Sequence, residues 1–285
     1  MLALICGLTA ACAWAVHDLL VRKIGQRVRV LPMMLVVFAA GLVALALPTA
    51  LIADWGAMTA PAYGFSAVAG LAYAVGMGAL YRAFSLAPVR LVAPILGSFP
   101  MISLGFAAFG GKAVSLIELL AVLAVVGGIV IVALTGRAEA GQSHGTRPGE
   151  AMLWSVLGSV GFAASLWLAQ EGARQGDEMA SIAVTRVAAL AVVFTIVLAV
   201  RVPLRAPTGT GRPLALMGVL DALAISLVTL SARLPNPEYA AISSSLFGVL
   251  TILLAWKFLK EAVLPVQWLG IITVFAGIAA LSLQG

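Results

Sequence analysis

The sequence predicts an all-α membrane protein, with ten transmembrane helices built as an inverted repeat of two five-helix halves. Three observations predict it. Of the 285 residues, 62% are hydrophobic and 10% charged, whereas a soluble domain is about 45 to 50% apolar and about 25% charged. Nearly uncharged runs recur along the chain at about twenty residues each, the length that crosses a hydrocarbon core about 30 Å thick. The chain also repeats itself at a shift of 149 residues. Helices are the expected spanning structure, because alternating barrel-strand patterns are not seen and lipid cannot satisfy exposed backbone polar groups.

The spans are predicted at about residues 2–21, 31–52, 63–84, 91–110, 115–135, 151–170, 179–200, 213–231, 239–256 and 262–283. The first has no basic leader and no small-residue cleavage site, so it is expected to remain as a helix rather than be removed as a signal peptide. Its Cys6 and Cys12 are separated by about 9 Å of helical rise and lie on different faces, which suits buried small apolar residues and not a disulfide. Turn chemistry separates the elements: "RKIGQRVR", "DWGAMTAP", "LAPVR" and "GGKAVS" in the first half, "RVPLRAPTGTGRP" and "RLPNPE" in the second. The polar stretch "GRAEAGQSHGTRPGE" divides the chain into a first half 1–135, a linker 136–150 and a second half 151–285.

The repeat supports that division. A shift of 149 sets Pro88 on Pro237, Phe109 on Phe258, Leu120 on Leu269, Gly128 on Gly277 and Leu134 on Leu283. "LIELLAVLAVVGGIVIVAL" and "PVQWLGIITVFAGIAALSL" are one helix written twice. Near the start of each half a shift of 153 sets "WAVHD" against "WLAQE". An odd number of spans per half makes the second copy enter the membrane from the opposite side. Lys and Arg number 13 in the odd connections and 3 in the even ones. The positive-inside rule then puts the odd connections in the cytoplasm and both termini outside. The net charge of +6 sits in short loops between spans, so anionic lipid headgroups, not nucleic acid, are the expected partner.

Two ionisable residues fall deep within apolar spans, where each costs at least about 2.5 to 3.5 kcal/mol unless paired or wet. They are Arg186 and Asp221. Each lies about 12 Å into its span at ~1.5 Å per residue, from opposite faces. In a core of about 30 Å their levels differ by about 6 Å, within reach of a guanidinium. They either clamp span 7 to span 8 or face a wet substrate path. Desolvation there favours a protonated carboxylate unless a cation offsets it, which makes Asp221 the candidate proton site. His17 and Asp18 are further candidates, although Asp18 stands four residues before Arg22, the spacing of a helix-end ion pair. Arg82 either snorkels to headgroups or lines the path. Trp14, Tyr73 and Trp167 suit aromatic cavity walls or ordinary helix packing. Ser243, first of three consecutive serines, reads as a close-packing, hydrogen-bonding position or as part of the path.

Enzyme chemistry is not expected. The two histidines, His17 and His144, form no paired-histidine metal motif, and no P-loop or Gly-x-Ser-x-Gly sequence is present. No metal and no cofactor is predicted.

Residues 81–134, "YRAFSLAPVRLVAPILGSFPMISLGFAAFGGKAVSLIELLAVLAVVGGIVIVAL", and residues 240–281, "AAISSSLFGVLTILLAWKFLKEAVLPVQWLGIITVFAGIAAL", resemble the two EamA domains of the drug/metabolite transporter superfamily. In that family the fourth span of a half commonly ends in a Glu-containing turn before a helix with a late glycine. Glu261 and Gly277 match in the second half, and Lys112 stands at the glutamate position in the first. The resemblance implies secondary transport of a small organic metabolite or drug across the plasma (bacterial inner) membrane, without ATP hydrolysis. Members handle amino acids, nucleotide-like compounds and drugs. Alternating access between inverted halves is the implied mechanism, with protons as candidate coupling partners and a monomer or homodimer as the unit. The rival expectation is a non-transporting membrane scaffold or sensor.

Overall fold

Local chemistry starts the long helices. Thr59 Oγ1 accepts from the Ala62 amide at 3.2 Å, and Asp177 Oδ1 accepts from the Ala180 amide at 2.9 Å, each satisfying a donor the helix itself leaves open. They begin α3 (Ala60–Leu86) and α8 (Glu178–Val200). Prolines at the first turn open α7 (Pro148–Arg174) and the last helix, α11 (Pro265–Ser282), positions where the missing N–H is harmless. The remaining helices are α1 (Leu2–Ile24), α2 (Val30–Ile52), α4 (Val89–Leu96), α5 (Phe99–Phe109), α6 (Leu116–Ala140), α9 (Gly211–Ser231) and α10 (Phe247–Leu254), which runs on into a π turn at Ala255–Leu259. The computed structural model describes residues 1–109, 113–140, 147–204, 209–231, 234, 243, 244 and 246–283. Among these residues the chain is all helical, with no strand.

Six helical stretches are long and apolar enough to cross a membrane: Leu2–Ile24, Val30–Ile52, Ala60–Leu86, Pro148–Arg174, Glu178–Val200 and Gly211–Val228. Shorter apolar helical stretches cover Leu116–Val132, Phe247–Leu259 and Pro265–Leu281. The protein is a multi-pass membrane protein. Leu47, Leu51, Leu120, Leu134, Leu153 and Ile272 are all exposed, an outer surface suited to lipid.

The fourth predicted span, 91–110, is corrected by the structure. It is not one helix but two, α4 and α5, parted at Gly97 and Ser98. Pro94 and Pro100 lack backbone donors and Gly97 is a poor helix former, which explains the interruption. The freed carbonyls are satisfied from α7, because Ser159 Oγ lies 2.5 Å from the Ile95 oxygen and 3.0 Å from the Leu96 oxygen. A broken helix is tolerated at membrane depth under that condition.

Packing is organised by small residues. α3 lies along α7 and α8, α9 lies along α1 and α2, and α6 lies along α11. In lipid there is no hydrophobic drive between helices, so close backbone approach supplies the contact. At the α6–α11 contact a Cβ built on Gly128 would stand 2.6 Å from the Gly270 carbonyl oxygen, and one on Gly277 would stand 2.7 Å from the Ala121 carbonyl oxygen.

Neighbouring glycines on α6 test this. In Gly128→Ala the new methyl meets backbone, so α6 and α11 must part, at a cost of about 1 to 3 kcal/mol. In Gly127→Ala the methyl meets nothing within 4 Å, and helix propensity gains about 0.5 to 1 kcal/mol. Thermal unfolding of the purified variants should therefore move in opposite directions. Equal melting temperatures would remove close approach as the reason for Gly128.

Candidate functional site

Trp14, His17 and Asp18 occupy positions i, i+3 and i+4 of α1 and share one face. That face meets Tyr73 and Tyr81 of α3, Arg186 of α8 and Asp221 of α9. Arg186 and Asp221 are 3% and 5% exposed, and they form the ion pair expected from their depths, through Arg186 Nη1 and Asp221 Oδ2. Tyr73 completes the junction: its hydroxyl accepts from Arg186 Nη1 at 2.8 Å and donates to Asp221 Oδ2 at 2.6 Å. Trp14 Nε1 donates to the other carboxylate oxygen at 3.2 Å. Asp221 thus accepts from three donors, the bonding pattern of an ionised carboxylate.

Aromatic rings enclose the pair. The Arg186 guanidinium lies 4.5 Å from the Tyr73 ring centroid, within cation–π range. Phe38 stacks on Tyr73 at 5.4 Å, Phe162 approaches it at 6.3 Å, and Phe247 meets Trp14 edge-on at 5.9 Å. One polar atom is left over. Arg186 Nη2 is buried and has no hydrogen-bond partner among the described residues.

A second buried set adjoins the first. His17 Nδ1 lies 2.9 Å from Asp18 Oδ1, and His17 Nε2 lies 3.2 Å from the Tyr81 hydroxyl. The expected ion pair between Asp18 and Arg22 is not formed, because Asp18 faces inward to His17 while Arg22 turns to another helix end. Arg22 Nε donates to Glu261 Oε1 at 2.8 Å and its Nη1 to the Phe84 carbonyl at 2.7 Å. Glu261 Oε2 in turn accepts from the Val89 amide at 2.7 Å, capping α4. At the same end of the bundle Arg82 does not reach freely outward but pairs with Glu150 at 2.8 Å, and Glu150 also accepts from Arg147 and Trp154.

Five of the sequence-predicted residues, Trp14, His17, Asp18, Arg186 and Asp221, therefore converge around Tyr73, itself predicted. Trp167 is 48% exposed, so it is not a buried wall of the cluster. Ser243 donates to the Leu4 carbonyl at 3.2 Å, in keeping with the helix-contact reading. His144, Lys112 and Ser245 lie outside the described residues. Sequence reasoning did not single out Tyr81 or Phe38 for the site. Tyr81 stands eight residues after Tyr73, a spacing that keeps both on one helical face, and that pattern was a usable signal. Nothing in the sequence marks Phe38.

A thermodynamic cycle tests the central pair. Arg186→Ala leaves a buried carboxylate without its cation, a loss of about 3 to 5 kcal/mol by precedent for such pairs. Arg186→Met combined with Asp221→Leu removes both charges. Its loss of folded yield and melting temperature should be smaller than the sum of the two single losses. Additive losses would mean the pair is not coupled.

Residues 149–283 match the EamA-like transporter family. A solved structure described as "Crystal structure of protein" superposes with a TM-score of 0.67 at 16% identity, covering 99% of this chain and 98% of that one. That likeness concerns the fold alone. No curated protein matches the sequence. The matched segment is the second half of the chain, and the family it matches is a domain family of the drug/metabolite transporter superfamily.

Proposed function

We propose that the protein is a secondary transporter that moves a small organic metabolite or drug across the plasma (bacterial inner) membrane by alternating access, in proton-linked export. The family match over residues 149–283 supports transport of this type. The observation that carries the reading is the buried cluster around Arg186 with its unpartnered Nη2. A buried donor without an acceptor costs about 1 to 3 kcal/mol, and a solute bearing a carboxylate, phosphate or carbonyl oxygen would relieve that cost. The faces of Tyr73, Trp14 and Phe38 supply apolar walls for the rest of such a solute.

Alternating access is supported by correspondences between the halves 1–135 and 151–285 on either side of the linker 136–150. Gly128 against Gly270 and Gly277 against Ala121 are one contact repeated at the shift of 149. The packing of α3 on α8 corresponds to that of α9 on α2. At the end carrying the odd connections one ion pair, Arg22 with Glu261, joins the halves, and a second, Arg82 with Glu150, ties the first half to the last residue of the linker, at the start of α7. In this reading they form the closed gate of that side, and opening requires both to separate. Charge asymmetry makes that side cytoplasmic and both termini external.

A thermal-shift screen of the purified protein against amino acids, nucleosides and cationic drugs tests the carrier reading. A specific solute at about one hundred times its Kd adds about 2.7 kcal/mol to apparent stability. Arg186→Gln should lose that shift, and liposomes holding the wild type should take up the same solute. A shift without any flux would favour the sensor, and no shift by any compound the scaffold. Reporter fusions at Gly285 test the topology, with activity expected only from the reporter that works outside the cytoplasm.

A further inference from the structure

We infer that His17 and Asp18 form a site that binds a single proton inside the membrane, with Tyr81 as its adapter. The two residues are 2% and 3% exposed and contact each other at 2.9 Å. The charged and titratable groups facing them are few. Tyr81 and Tyr73 come from α3, Asp221 from α9 and Arg186 from α8, while Arg22 on α1 itself is engaged with Glu261 beyond α10. Arg186 and Asp221 already neutralise each other. The net charge of the interior therefore depends on how many protons the dyad holds.

With one proton the dyad is neutral, either as imidazolium and carboxylate or as imidazole and carboxylic acid. With none it carries an unbalanced negative charge, and with two an unbalanced positive one. An unpaired buried ion costs several kcal/mol. The one-proton state is thus the electrically neutral one while the site stays dry. In both one-proton forms Nε2 carries hydrogen and the Tyr81 oxygen accepts from it. Proton release leaves Nδ1–H donating to Asp18 and Nε2 bare, and the Tyr81 hydroxyl then rotates to donate to Nε2. A hydroxyl can serve both states without moving its oxygen. The proton leaves when water reaches the dyad, which solvates the remaining charge. Its use in coupling rests on the transporter reading above, whereas the binding site itself does not. On this assignment the proton is carried by Asp18 and His17, and Asp221 stays ionised against Arg186.

The chain has two histidines, so His144→Gln leaves His17 as the single imidazole. Nitrogen-15 labelling of histidine, with magnetic resonance of the protein in lipid bilayers from pH 5 to 9, reads both ring nitrogens directly. The expected wild-type result is a protonated Nε2 through neutral pH. In Asp18→Asn the acidic half of the site is gone, and the buried ring should stay neutral across the range, with no pH-dependent change at Nε2. A bare Nε2 at neutral pH in the parent protein overturns the proposal, as does an unchanged titration in Asp18→Asn. If Asp18→Asn fails to fold, the parent spectrum still decides, and Tyr81→Phe provides the perturbed comparison. Flux of the screened solute in liposomes under an imposed pH gradient is measured separately. An intact resonance titration without gradient-driven flux removes the transport role and leaves the proton site standing.

Discussion

A guanidinium and a carboxylate taken out of water each lose several kcal/mol of hydration, recovered only when they meet with good geometry and their remaining polar atoms find partners. The pairing of Arg186 with Asp221 imposes that condition on this bundle. It fixes the rotation of α8 against α9, since turning either helix would part the two charges and leave each without its partner. Tyr73 and Trp14 then have their positions set by the same carboxylate. Four helices are registered by one junction, and the aromatic rings around it follow from that register.

Close backbone contact supplies what hydrophobic burial cannot supply in lipid. The glycines of α6 and α11 bring the two backbones within reach of each other's carbonyls, and bulky aliphatic side chains are turned outward. The interior remains mainly apolar, with its buried polar groups gathered in a few clusters, so the bundle differs from a soluble domain chiefly in its apolar exterior. The charges at one end of the bundle are paired across helix ends, with Glu261 holding both the Arg22 side chain and the first amide of α4.

Much of this was legible in the sequence, and the reasons are specific. Arg186 and Asp221 stood out because an apolar run exposes any ionisable residue, and their depths follow from a fixed rise per residue. The membrane class followed from run lengths alone. The partners of Asp18 and Arg22 were not legible. Their spacing of four suggests a mutual pair, but Asp18 pairs with its chain neighbour His17, and Arg22 reaches Glu261, a residue 239 positions away. Local spacing cannot weigh a neighbour on another helix. The break in the fourth span was legible in part: its prolines and glycine were present in the sequence, but the hydroxyl of Ser159 that makes the interruption affordable belongs to a different helix.

That break gives the bundle a joint. The carbonyls of Ile95 and Leu96 are bonded across to α7, so α4 and α5 can differ in direction without leaving those two groups unpartnered. α4 is anchored at its other end by the Glu261 carboxylate. It therefore behaves as a short strut, eight residues long, with a pivot at Gly97 and Ser98 and a pin at Val89. Its two ends are thus tied to distant parts of the chain, Val89 to Glu261 after α10 and the carbonyls of Ile95 and Leu96 to Ser159 of α7.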